Sequence, residues 1–163
     1  MKGYLDAPEL TKQTIVDGWL RTGDLGTIDA SGHLKLLGRA KNMIVTAGGK
    51  NVYPEDIEAA FEGLVGVEEF CVFAANFIWP GKSLVDEQLV LVLRPKAGEQ
   101  AAFPLAQART LNLTLNEYKR VHAVLVWNDE FPRTASQKIK RELLARELGK
   151  SLSREQALKA LTT

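Results

Sequence analysis

Three polar stretches of the chain hold residue types able to act on a phosphorylated or hydroxylated ligand. The first is Arg21-Thr22-Gly23-Asp24. A carboxylate beside a glycine at a strand entrance can accept two hydrogen bonds from a diol such as a ribose; it can equally satisfy the amides of its own turn. The second runs from Gly38-Arg39-Ala40-Lys41 into the loop Thr46 to Asn51. The small residues Ala47, Gly48 and Gly49, followed by Lys50, allow a ligand to approach the backbone closely, and Arg39 and Lys41 suit phosphates or hydroxyls. An ordinary connector with solvated charges reads the same way. The third is Pro132-Arg133-Thr134-Ala135-Ser136-Gln137-Lys138-Ile139-Lys140-Arg141. Lys138 falls at a predicted loop-to-helix junction, where an ammonium can be aimed at an anionic transition state. A basic loop facing solvent is the competing description.

Other chemistries find little support. No run reads as a Walker phosphate loop, and no Gly-x-Ser-x-Gly elbow is present. Cys71 lies in an apolar run and reads as core. His33 and His122 are far apart and lack sequence neighbours that would complete a metal or acid–base site, so no metal site is expected. Lys and Arg number 21 against 20 Asp and Glu, a net charge of +1, which disfavours a nucleic-acid-binding surface. No apolar run approaches the ~18 residues of a membrane span, and the N-terminus lacks a secretory signature. A single cysteine in 163 residues suggests a reducing, cytoplasmic setting.

The elements that must position these residues form an α+β pattern. With 45% hydrophobic and 25% charged residues, the chain can bury a real core. Leu25 to Asp29 and His33 to Leu37 read as a hairpin around Asp29-Ala30-Ser31-Gly32, and residues 1–40 as a ribbon at the edge of something larger. A strand, Met43 to Thr46, precedes the flexible loop ending at Asn51. Pro54, with Glu55 and Asp56 behind it, opens a helix whose apolar stripe is Ile57, Ala60, Phe61 and Leu64, with Gly63 and Gly66 as stops. Phe70 to Ala75, Leu89 to Leu93 and Val121 to Trp127 read as buried strands, and Asn76 to Val85 as a loop. A helix opens at Pro104, and another spans about Gln137 to Leu148 with Gly149 as its stop. Ser153 and Gln156 resemble a capping box for a short terminal helix. The expected fold is a small mixed sheet packed with helices and preceded by a β-ribbon.

In this order and spacing the three stretches resemble the C-terminal part of the adenylate-forming superfamily, which includes acyl-CoA synthetases, adenylation domains of peptide synthetases and beetle luciferases. The matches are Gly18-Trp19-Leu20-Arg21-Thr22-Gly23-Asp24, then Gly38-Arg39-Ala40-Lys41 through Gly48-Gly49-Lys50-Asn51-Val52-Tyr53-Pro54-Glu55-Asp56-Ile57-Glu58, then Pro132-Arg133-Thr134 to Lys138. They cover nearly the whole chain, and the second is most like the long-chain fatty acyl-CoA synthetases. The resemblance implies a mobile lid domain of an ATP-dependent ligase that joins a fatty acid to CoA, with ATP and Mg2+ used by the parent enzyme. It implies that Asp24 binds the ATP ribose with Arg39 in support, and that Lys41 is the hinge. It further implies that the loop 46–51 helps form the tunnel for the thioester step, and that Lys138 contacts the carboxylate and α-phosphate during adenylation.

Two departures stand out. Many relatives have glycine just before this lysine, where this chain has Gln137. The phosphate loop and acyl pocket of the large N-terminal domain have no counterpart here. The resemblance therefore implies three parts: the last ribbon of a truncated N-terminal domain (1–40), the mobile domain (41–149) and a tail (150–163). The end looks natural and the beginning cut, so the chain by itself is expected to be inactive without its missing N-terminal domain. A stand-alone, non-catalytic interaction module and a domain that loads a carrier protein are the alternatives.

Overall fold

The computed structural model describes residues 1–46, 48–81, 88–98, 105–153 and, by backbone alone, 159–160. It divides into two compact units, Met1–Met43 and Ile44–Thr163.

The first unit is built from local signals. Pro8 opens helix α1 (Pro8–Thr14), with Glu9 in its first turn and Lys12 in its last, as the helix dipole favours. Two short strands follow, β1 (Ile15–Val16) and β2 (Trp19–Leu20). Asp17 and Gly18 between them both take positive φ, 51° and 80°, as the tightest hairpin turn requires. The longer hairpin pairs β3 (Asp24–Ile28) with β4 (Leu34–Arg39) in antiparallel register. A 3₁₀ turn, Ala40–Asn42, follows. Residues 1–40, expected as a ribbon, therefore hold a helix and a small hairpin ahead of the β3–β4 ribbon. No residue of this unit is buried.

The second unit holds the core. It opens with a hairpin of β5 (Ile44–Val45) and β6 (Asn51–Val52), then α2 (Pro54–Phe61) and β7 (Val67–Ala74). Next come a single-turn helix α3 (Ala75–Ile78), β8 (Leu89–Pro95) and α4 (Leu105–Thr114). β9 (Ala123–Val126), α5 (Arg141–Ser151) and β10 (Lys159–Ala160) complete it. The sheet is mixed, in the order β10-β9-β8-β7, with β8 and β9 parallel and the other pairs antiparallel. A parallel pair needs a long crossover, and α4 lies in it.

The central strand shows why the apolar runs are continuous. Leu89, Leu91 and Leu93 of β8 pack on Ile57 and Phe61 of α2 and Ala108 of α4. Val90 and Val92 face the other way, onto Leu144, Ala145 and Leu148 of α5. A strand buried on both faces cannot alternate with polar residues. The buried Asn112 in α4 is the polar exception: its amide donates to the Val121 carbonyl at 2.9 Å and accepts the Val121 N–H at 2.7 Å. Among the described residues no helix is long and apolar enough to cross a membrane.

Several sequence expectations need correction. Asn51, expected to end a loop, is the first residue of β6, and α3 occupies part of the expected loop from Asn76. The last long helix starts at Arg141, not Gln137, because the backbone there is already used. The Thr134 N–H donates to the Lys138 carbonyl, and the Lys140 N–H to the Pro132 carbonyl. Gly149 does not end that helix, which continues to Ser151. A Cβ there would lie 2.6 Å from the Ile78 carbonyl oxygen, so this glycine lets α5 approach α3. Pro104 and Gln156 lie outside the described residues, so the expected helix start and terminal capping box do too.

Candidate functional site

The β3–β4 ribbon brings Asp24 and Arg39 together. They are register partners, and the guanidinium reaches Asp24 Oδ1 at 2.9 Å. Arg39 also donates to the Thr22 carbonyl at 2.6 Å, and the Asp24 N–H donates to Thr22 Oγ1 at 3.1 Å. Gly23 takes φ 75°, which lets its carbonyl accept the Ala40 N–H at 2.9 Å. With side chains 37% and 44% exposed, the pair adds little stability. Its effect is to hold one carboxylate at the open end of the ribbon.

Lys41 is exposed in the 3₁₀ turn, two residues ahead of the boundary between the units. The hairpin tip that follows is closed on itself. The Thr46 N–H donates to the Lys50 carbonyl at 3.0 Å and the Gly49 N–H to the Thr46 carbonyl at 2.8 Å. Gly49 supplies the positive φ, 71°. Gly48, Gly49 and Lys50 are exposed, and no atom crowds the space where either glycine's Cβ would stand. Ala47 lies outside the described residues.

Lys138 sits in a tight turn ahead of α5. Arg133 and Ile139 form a β-bridge across it, and Gln137 between them takes φ 64°. The Gln137 N–H donates to the Thr134 carbonyl and the Lys138 N–H to Thr134 Oγ1 at 3.1 Å. Ile139 packs against the core under α5, which leaves its neighbour Lys138 exposed. The surrounding cations differ in state. Arg133 pairs with Glu69 and Arg141 with Glu58, whereas Lys138 has no ion pair among the described residues. An exposed ammonium without an ion pair, on a turn held by several backbone hydrogen bonds, can be presented to an anion without first breaking an ion pair.

The residues set aside as structural behave so. Cys71 is fully buried, and burial pushes its thiol far above the usual range. His122 Nδ1 accepts the Leu89 N–H at 3.2 Å between neighbouring strands, and His33 stands beside Asp29 on an exposed turn. Among the described residues no group of three or more His, Cys, Asp or Glu could hold a metal ion. A cavity of about 550 Å3 lies between α3 and α5, lined among others by Phe77, Trp79, Glu142 and Arg146, and includes none of the predicted residues. Sequence reasoning missed Glu69, and although Arg133 lies in the third polar stretch, its pairing with Glu69 across 64 positions leaves no local signal.

No family model matches the chain. It is 37% identical over 152 residues to the 2-succinylbenzoate–CoA ligase of Geobacillus kaustophilus, covering 92% of this chain and 29% of that one. It is 46% identical over 72 residues to the long-chain-fatty-acid–CoA ligase FadD13 of Mycobacterium tuberculosis, covering 44% of this chain and 14% of that one. Among solved structures, ATP-bound MatB from Rhodopseudomonas palustris matches with TM-score 0.69 and 32% identity over 91% of this chain and 28% of that one. The O-succinylbenzoate coenzyme A synthetase of Bacillus subtilis, in complex with ATP and magnesium ion, matches with TM-score 0.69 and 29% identity, covering 88% and 28%. The chain thus spans under a third of the length of these relatives.

Proposed function

We infer that this chain, which is similar to acyl-CoA ligases over less than a third of their length, is the C-terminal, mobile lid of an ATP-dependent acid–CoA ligase. In the first half-reaction a substrate carboxylate oxygen attacks the α-phosphorus of ATP and pyrophosphate leaves. In the second the CoA thiol, losing its proton, attacks the acyl carbonyl and AMP leaves. The acid is a fatty acid on this reading, given the likeness of residues 48–58 to the long-chain branch. A cytoplasmic setting fits the lone, buried Cys71.

Each candidate residue has a role the geometry can serve. Asp24, held by Arg39, faces the ribose hydroxyls. Lys41 precedes the boundary between the units and is the pivot. The exposed tip around Gly48, Gly49 and Lys50 belongs to the thioester step. Lys138 neutralises the mutual repulsion of carboxylate and α-phosphate. At ~4 Å such a cation supplies ~4 kcal/mol at an effective dielectric of ~20. Positioning and charge are most of what phosphoryl chemistry asks of a protein. The large N-terminal domain supplies the remaining contacts, and the wholly unburied first unit is the part suited to join it.

The observation that carries this reading is the state of Lys138: exposed, without an ion pair among the described residues, on a turn in which the Gln137 and Lys138 N–H groups both bond to Thr134. The test separates the half-reactions in the full-length ligase. Lys138→Ala should slow ATP–pyrophosphate exchange by about 10²–10³-fold, as losing one aimed charge donor does, while pre-formed acyl-adenylate still reacts with CoA. Equal loss in both halves, or none in exchange, refutes the role.

A further inference from the structure

We propose that Glu69 and Arg133 are positioning residues for Lys138, a proposal that rests on the reading of Lys138 as the adenylation cation. The peptide group joining Gln137 to Lys138 is held from both ends. Its carbonyl accepts Arg133 NH1 at 2.6 Å, and its N–H donates to Thr134 Oγ1 at 3.1 Å. Fixing that plane fixes the direction in which the Lys138 side chain leaves the backbone. Without such a hold the turn would have reason to relax, since Gln137 sits at φ 64°, a region that L side chains disfavour.

Arg133 is itself anchored. Its other terminal nitrogen pairs with Glu69 Oε2, and Glu69 Oε1 pairs with Arg94 at 2.7 Å. The Glu69 side chain is only 8% exposed, and a carboxylate so placed needs cationic partners. β7 carries a register irregularity between Val67 and Glu69. The shift puts Val67 in the core under α2 while Glu69 reaches Arg94 and Arg133. A rigid strand thus sets the carboxylate, the carboxylate sets a planar fork, and the fork sets the lysine turn. Lysine at 133 would keep the charge but not the two-pronged geometry.

The test uses the full-length ligase carrying Glu69→Gln, Arg133→Lys and Lys138→Ala, singly and with Arg133→Lys and Lys138→Ala combined. Glu69→Gln and Arg133→Lys should each lower kcat for adenylate formation about tenfold, with KM for ATP nearly unchanged. The rate from pre-formed acyl-adenylate and CoA should stay at the parent level, which also reports an intact fold. Adding Arg133→Lys to Lys138→Ala should cost nothing further, because Arg133 acts only through that lysine. Parent-level adenylation in both single variants overturns the proposal, as does a full additional loss in the double variant or an equal fall in both half-reactions. In each case a selective defect in Lys138→Ala leaves the reading of Lys138 standing. An undiminished adenylation rate in Lys138→Ala overturns both.

Discussion

Glu58 and Arg141, 83 positions apart, form an ion pair at the outer edge of β7, and between them they take both backbone groups of Val72. Glu58 Oε1 accepts the Val72 N–H at 2.7 Å, and Arg141 NH1 donates to the Val72 carbonyl at 2.8 Å. An edge strand offers unpaired groups to any passing chain, and here two side chains occupy them mid-strand. Both side chains are 19% exposed. Glu58→Ala leaves a mostly buried guanidinium and the Val72 N–H without their partner, and should cost about 2–4 kcal/mol. Urea unfolding of the chain measures it; a loss below about 0.5 kcal/mol would mean that water replaces the carboxylate freely.

Gly149 sits inside α5, where alanine would ordinarily add about 1 kcal/mol. The Ile78 carbonyl oxygen, 2.6 Å from the site of the missing Cβ, reverses the sign. Backbone crowded in this way must shift, so Gly149→Ala should destabilise by about 1–3 kcal/mol. Thermal unfolding decides it, and a higher melting temperature would contradict the close packing of α5 on α3.

Gln137 takes a left-handed conformation that costs an ordinary L residue about 1–2 kcal/mol. Glycine removes that cost but adds freedom to the unfolded chain. Gln137→Gly should therefore raise stability by a net of up to about 1 kcal/mol. A fall in the urea midpoint would show that the glutamine side chain contributes more than its backbone conformation loses.

The Asp29 carboxyl is held below the usual aspartate range. The His33 N–H is the main cause, slight desolvation opposes it, and Ser31, the His33 side chain and Gly32 add to the lowering. A depressed carboxyl stabilises the folded turn above its unfolded value, near pH ~4, and that contribution is lost as pH falls through the folded value. The amide protons of Ser31 and His33, which bond Asp29 Oδ1 at 2.8 and 2.9 Å, should shift together only at pH values below that range. A titration of both centred above pH 5 would show that Asp29 is not the acceptor.

Much of the second unit was legible in the sequence. β8 and β9 stand out as bounded apolar runs because a strand buried on both faces has no polar positions to interrupt it, whereas only the apolar end of β7 from Phe70 does, its first part carrying Glu68 and Glu69. α2 was readable from Pro54, Ile57 and Phe61, which combine a start signal with a helical repeat. α3 was not, since four residues, Ala75–Ile78, are too few to display a period. Asp17-Gly18 encodes a tight hairpin of its own, with both residues at positive φ. The start of α5 was misplaced because Gln137 to Lys140 have good helix propensity, and only their pairing with Pro132 to Thr134 overrides it. Asp24, Arg39 and Lys138 stood out by type and neighbours. Glu69, and its pairing with Arg133, could not, because an ion pair between residues this far apart is a property of the folded sheet.

The closure of the β7 edge has a consequence for biosynthesis. Val72 waits for a residue 69 positions downstream, so the ribosome must deliver almost the whole second unit before Arg141 arrives. Until then the nascent strand presents an open border, and this is the interval in which a chaperone would matter most.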